Sequence, residues 1–123
     1  MENCPFCQLA QTLILFENNS ARAFFDKNPV SPGHILIIPK KHKADYFALS
    51  DSEKLDIDRL LATCKSFLEE TENPDGYNIG FNCGEVAGQS IFHCHCHLIP
   101  RYKGDTPEPK GGIRGAIPDK MFY

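Results

Sequence analysis

The sequence predicts an α+β fold, with about five strands in a mostly antiparallel sheet covered by one main helix. Three observations carry this. The run His34-Ile35-Leu36-Ile37-Ile38, closed by Pro39, is β-branched and almost wholly apolar, which suits a central strand buried on both faces. A single long stretch, Ile57, Leu60, Leu61, Cys64, Phe67 and Leu68, repeats at helical spacing. Residues 91–99 alternate with the period of two that a strand imposes on its side chains.

The elements follow in order. Short apolar segments at 12–16 and 21–25 flank Glu17-Asn18-Asn19-Ser20 and predict a hairpin with a polar turn. Residues 26–33 hold Pro29, Pro32 and Gly33, so they form a loop before the central strand at 34–38. Ser50-Asp51-Ser52-Glu53 is a capping box, a hydroxyl at the N-cap with a carboxylate three residues on. Asn73-Pro74-Asp75-Gly76 stops the helix. Residues 77–82 predict a fourth strand, 84–90 a loop, and 91–99 a fifth strand ended by Pro100. The tail from about residue 103, rich in Gly, Pro and basic side chains, is expected to be irregular. With no repeat and no linker, residues 1–123 read as a single domain.

Composition excludes several classes. The chain has 123 residues, 41% of them apolar and 24% charged, with nine Phe, which is too apolar for a disordered chain. A net charge of −3 argues against a nucleic-acid partner. The longest apolar run, Ile35 to Ile38, is far short of the ~20 residues of a spanning helix, so no membrane partner is expected. Met1-Glu2-Asn3-Cys4-Pro5 lacks a basic stretch followed by an apolar run, so no secretory signal and a cytoplasmic location are expected. Six cysteines stand at 4, 7, 64, 83, 94 and 96, and in that compartment a disulfide framework is not expected. Cys64 and Cys83 read as small core hydrophobes. Cys4-Pro5-Phe6-Cys7 is a C-x-x-C pair, a spacing that means metal or redox chemistry.

The chemistry concentrates in Ile91-Phe92-His93-Cys94-His95-Cys96-His97-Leu98-Ile99. Alternation puts His93, His95 and His97 on one face, and Cys94, Cys96 and Leu98 on a core face. Three readings exist. The imidazoles could be satisfied sheet residues, although three on one face would repel on protonation. They could grip a catalytic zinc, because histidines two apart on a strand reach one metal. Or one neutral imidazole could attack a phosphate while its neighbour protonates the leaving group. The lead Gly88-Gln89-Ser90 places flexible backbone, an amide and a hydroxyl beside the first imidazole, and these donors favour phosphoryl or nucleotidyl transfer.

Ala87-Gly88-Gln89-Ser90 running into the three histidines resembles the signature of the histidine triad superfamily. Pro32-Gly33-His34 and Ile38-Pro39-Lys40-Lys41-His42 upstream are also similar, and the likeness extends to Tyr102. It implies a homodimer joining two five-stranded sheets, and hydrolysis or transfer of nucleoside monophosphates through a nucleotidyl-histidine. By position it implies His95 as nucleophile, with His97 contacting the α-phosphate and helping to protonate the leaving group. Ser90 and Gln89 would hold phosphate oxygens. Asn82 matches a polar position near the phosphates, where some dinucleoside polyphosphate hydrolases carry Gln instead. Asp26 matches a ribose-binding carboxylate; the alternative is a turn residue before Pro29. Some members complete an N-terminal C-x-x-C pair into a structural zinc site, and the matching ligands here are Cys4, Cys7, His42 and His93. The alternatives are a redox pair or two cysteines without metal. His34 reads as a support behind the reacting groups or as structural, rather than catalytic, and Lys40 and Lys41 as a solvated strand end, with phosphate steering the alternative. Arg101 and Lys103 are candidates for polyphosphate contact. A Trp-bearing tail of the kind some phosphoramidases carry is missing, and Arg114 in the Gly-rich segment that stands there could cross to a partner subunit. The implied substrates are nucleoside phosphoramidates or dinucleoside polyphosphates. A nucleotide-binding regulatory protein with negligible turnover is the other class.

Overall fold

In the computed structural model, which describes residue 1 and residues 3–122, one five-stranded sheet runs in the order β1-β2-β3-β5-β4. The strands are β1 (Phe16–Glu17), β2 (Ala21–Phe25), β3 (Ile35–Pro39), β4 (Gly76–Phe81) and β5 (Cys96–Arg101). All pairings are antiparallel. Helix α1 (Asp51–Thr71) is the one α-helix among the described residues. Its N-terminus is the capping box read from the sequence: Ser50 Oγ accepts from the Glu53 N–H at 3.1 Å, and the Glu53 carboxylate accepts from the Ser50 N–H at 2.8 Å. At its C-terminus Asn73 takes the left-handed φ of 50°, and the Glu72 and Asn73 N–H groups both donate to the Leu68 carbonyl.

The two faces of the sheet have different coverings. Ile57, Leu60, Cys64 and Leu68 of α1 pack against Ala21, Ala23, Ile35, Ile37, Cys96 and Leu98. On the other face Phe24, Leu36 and Ile38 pack against Cys4 and Phe6 from the N-terminal segment. Strand β3 is therefore buried along its whole length, as its unbroken apolar run requires.

Two expectations need correction. The first strand of the hairpin, expected at 12–16, is shorter and later. Residues Gln11–Leu13 form a 3-10 turn, because the Leu13 and Ile14 N–H groups donate locally to Ala10 and Gln11, and only Phe16 and Glu17 pair with β2. The fifth strand begins at Cys96 rather than 91. The Cys94 N–H donates to the Lys43 carbonyl at 2.6 Å, outside the sheet, so the chain reaches the ladder only at the Ile37–Cys96 pair. The alternation survives: Cys94, Cys96 and Leu98 enter the helix-side core while the histidines turn to the opposite face. Cys64 is a core residue as read, whereas Cys83 is only half-buried. Beyond β5 the tail holds two short 3-10 turns, Gly112–Ala116 and Pro118–Lys120.

The loop before β3 is fastened to β5. Ser31 Oγ donates to the Pro100 carbonyl and Tyr102 Oη to the Pro32 carbonyl, each at 2.6 Å. Gly33, with φ of 89°, lets the chain turn sharply there, and a Cβ would lie 2.8 Å from Leu68 Cδ2 and 3.2 Å from Glu72 Cγ. Gly33→Ala combines a left-handed backbone with this clash, and is expected to lower unfolding stability by ~1–3 kcal/mol in urea denaturation.

Candidate active site

The roles of the ring nitrogens follow from what each one meets. His93 Nε2 lies 2.8 Å from the Pro39 carbonyl, which can only accept. Nε2 therefore carries the proton, and the Nδ1 lone pair faces Cys4 Sγ and Cys7 Sγ, each at 3.5 Å. His95 Nδ1 lies 2.9 Å from the His93 carbonyl and must donate to it, so in the neutral ring the lone pair is on Nε2. The Val30 N–H donates to His34 Nδ1 at 3.2 Å, so neutral His34 holds its proton on Nε2. That proton is shared with His97 Nδ1 at 3.0 Å. His97 Nδ1 is thus an acceptor, and its own proton sits on Nε2. The rings of His95 and His97 stand edge to face with centroids 5.1 Å apart. The fold therefore sets a lone pair beside an N–H, each fixed by a neighbour rather than by its own tautomeric preference.

Asp26 closes this chain. Its Oδ2 is 3.5 Å from His34 Nε2, while its Oδ1 accepts from the Asn28 N–H at 2.9 Å. Both readings of Asp26 thus have a physical basis: it forms a local Asx turn and it borders the cavity. Asp26, His34 and His97 are close enough to hold a cation. The donor set argues against it, because the Val30 N–H occupies the Nδ1 lone pair of His34 and the proton lies on the nitrogen that would have to bind.

Burial shapes the acidity of these rings. It pushes His97 down to about 4, helped by its neighbours His95 and His34. Burial lowers His34 too, against the pull of Asp26, and lowers His93 against its bond to Pro39. The thiols of Cys94 and Cys96, on the core side, are pushed up to about 12 by burial and serve as packing.

A cavity of about 550 Å³ opens on this face, within the usual range of small-molecule sites. Phe6, Leu9, Phe24 and Leu36 give it apolar walls, and Asp26, Asn82, Ser90, His95 and His97 supply its polar groups. The structure thus brings together most of the residues expected to meet substrate. Gln89 is different. It is buried, its Oε1 accepts from the Gly84 N–H at 2.8 Å, and its Nε2 donates to the Ala44 and Ile91 carbonyls at 2.7 and 3.1 Å. The amide expected to hold phosphate oxygens is spent on folding the loop that presents Ser90. Arg101 is also committed, to Asp105 at 2.8 Å and to Asn78 at 2.7 Å.

The second cluster is Cys4, Cys7, His42 and His93, whose donor atoms lie within 4.8 Å of one another. His42 Nδ1 is 3.3 Å from Cys7 Sγ. A tetrahedral zinc with two sulfurs and two nitrogens has S···N edges of about 3.5 Å, which these separations match. The Pro39 carbonyl that fixes His93 is the outer-shell partner such a ligand needs. The cluster can hold a metal ion.

His34, expected either to support the reacting groups from behind or to be structural, does the first: it sets the proton on His97, a partner of which its place directly after Pro-Gly gives no sign. The wall residues Phe6 and Leu9 are not among those singled out from the sequence. Their signal was the apolar spacing within and just after the C-x-x-C pair.

Comparison with known proteins agrees with this geometry. The HIT domain family matches residues 8–104. An uncharacterized HIT-like protein of Mycoplasma genitalium is 42% identical over 106 residues, covering 82% of this chain and 74% of that protein. The adenosine 5'-monophosphoramidase of Schizosaccharomyces pombe is 36% identical over 103 residues, covering 80% of this chain and 74% of its own length. The crystal structure of a zinc-bound histidine triad family protein from Mycobacterium smegmatis superposes with a TM-score of 0.78 at 28% identity, covering 87% of this chain and 81% of that one.

The lowered imidazoles make stability depend on pH. His97 binds a proton near pH 6.5 when unfolded but only near pH 4 when folded, so between these values the unfolded state holds more protons. Its contribution is complete above pH 6.5 and is lost as pH falls toward 4. Thermal denaturation over this window should show a falling midpoint, and His97→Asn should flatten the slope relative to the parent protein.

Proposed function

The chain belongs to the HIT domain family, and from that premise we propose that it is a nucleotidyl hydrolase or transferase acting on nucleoside phosphoramidates or dinucleoside polyphosphates. One observation carries this reading: His95 and His97 line one cavity with ring centroids 5.1 Å apart, and with His95 Nδ1 on the His93 carbonyl and His97 Nδ1 on His34, the neutral rings keep a lone pair on Nε2 of the first and a proton on Nε2 of the second. His95 Nε2 attacks the α-phosphorus, and the bond from phosphorus to the leaving nitrogen or oxygen breaks. His97 gives its Nε2 proton to the leaving group. Water then attacks the phosphorus of the nucleotidyl-histidine: the P–N bond breaks with its electron pair returning to His95 Nε2, the water's proton restores the Nε2–H of His97, and a nucleoside monophosphate leaves. The name of the Schizosaccharomyces relative supports a phosphoramidate as substrate.

The remaining residues take supporting roles. Asp26 offers a carboxylate to the ribose hydroxyls, Ser90 and Asn82 donate to phosphate oxygens, and Gln89 braces the loop behind Ser90. His34 holds the proton on the outward nitrogen of His97. Cys4, Cys7, His42 and His93 hold a structural zinc, which supplies a cross-link and no step of the reaction. The sheet edge supports a homodimer: β4 is a terminal strand with an exposed Ile79, and an open strand edge is a liability that two-fold pairing removes.

Incubation with adenosine 5'-phosphoramidate and a diadenosine polyphosphate, followed by product analysis, tests the reaction. Release of AMP is the expected result, and His95→Ala should reduce it by several orders of magnitude while retaining AMP binding. AMP binding without turnover of either compound would identify a regulatory binder instead. Light scattering at micromolar concentration should give the mass of two chains, and a monomer would remove the dimer from the proposal.

A further inference from the structure

The N-terminal segment lies over the site-side face of the sheet, yet its main chain is hardly tied to it. Among the described residues, the main-chain bonds recorded for residues 1–14 stay within the segment: Cys4 N–H to Met1, Gln8 N–H to Cys4, Leu9 N–H to Phe6, Leu13 N–H to Ala10 and Ile14 N–H to Gln11. The first to reach the sheet runs from the Leu15 N–H to the Ala23 carbonyl at 2.8 Å. Upstream of that point side chains join the segment to the body: Cys4 and Phe6 are buried with Cys7 and Leu9 packed beside them, the two sulfurs approach His42 and His93, and Gln11 Nε2 donates to the Glu17 carboxylate at 3.1 Å.

This loosely tied segment is also a wall of the cavity. Phe6 lies between the two cysteines, and its ring stands edge-on to His95 at 5.2 Å, to His93 at 5.9 Å and to Phe24 at 5.4 Å. Phe6 and Leu9 line the cavity together with His95 and His97. A second link is covalent: His93 turns its side chain to the sulfurs and its carbonyl to His95 Nδ1.

We propose that the metal centre and the nucleotide cavity are thermodynamically coupled through the Cys4–Cys7 turn. With the centre filled, the turn holds Phe6 and Leu9 in place as a preformed wall, and a nucleoside monophosphate binds without having to order it. With the centre empty, no main-chain bond of the described residues anchors the segment to the sheet before Leu15, and binding must bear the cost of ordering the wall. Linkage requires the converse: nucleotide tightens the hold on the metal by the same factor. The inference rests on the nucleotide reading of the cavity given above.

The test uses the full chain, loaded with zinc or stripped by a chelator, and AMP as the probe. Calorimetric titration should show AMP binding about tenfold or more weaker to the stripped protein, within the range typical of coupled sites. Competition against a chromophoric chelator should show zinc affinity rising by the same factor when AMP is saturating. Phe6→Ala keeps all four ligands, so it should still bind zinc, bind AMP more weakly, and bring the coupling factor close to one. Zinc affinity that does not respond to AMP, while AMP binds both forms equally, overturns the coupling and leaves the nucleotide site standing. A factor that survives Phe6→Ala overturns the wall as its source, including the case in which stripping simply unfolds the chain. AMP binding to neither form overturns the nucleotide reading itself, and the inference with it.

Discussion

The site depends on how His93 is held. Its ring is fully buried and donates to the Pro39 carbonyl at the end of the central strand. That bond turns Nδ1 toward the two sulfurs, and the residue's own carbonyl fixes the proton of His95. One residue thus connects the core of the sheet, the cysteine turn and the reactive imidazole. A side chain with a single polar atom could not do this; an imidazole has two nitrogens with opposite roles in its neutral form. Keeping that form is a matter of burial, which disfavours the cation.

The same logic extends down the row of histidines. Each neutral ring is assigned its tautomer by a partner that cannot exchange roles: a carbonyl for His93 and His95, a main-chain N–H for His34. His97 inherits its state from His34. The order of donors and acceptors is therefore written by the backbone: the Pro39 carbonyl at the end of buried β3, and the His93 carbonyl and Val30 N–H in the connections beside it. Cys96 and Leu98 of β5, and Cys94 just before it, enter the core under α1 on the opposite side. Period-two alternation lets one short segment serve both purposes.

Loops bring the remaining groups. Gln89 spends its amide on three main-chain partners and so shapes the turn that leads to Ser90. Asp26 is held by its own Asx turn beside His34. Both residues carry functional-looking side chains, and in both the first duty of the polar atoms is to fold a connection. Groups that meet substrate on a loop need such support, because the loop has no ladder to hold it.

Much of this was legible in the residues themselves. The apolar run at Ile35, the capping box at Ser50, the helical stripe through Leu68 and the alternation around His95 each depend on neighbours close in the chain, and local spacing reports them directly. The gathering of Cys4, Cys7, His42 and His93 came from family resemblance rather than from spacing, because those residues are separated by long stretches of chain. Where local spacing competed with tertiary bonds it misled: the fifth strand starts late because Cys94 bonds to Lys43, and the first is short because residues 11–13 turn on themselves. Only the tertiary structure decided which nitrogen of each imidazole carries its proton, that Gln89 faces inward, and that the segment after Cys4 walls the cavity. These are set by the direction of single carbonyl and N–H groups across the fold, and a sequence carries residue types and spacings but not those directions.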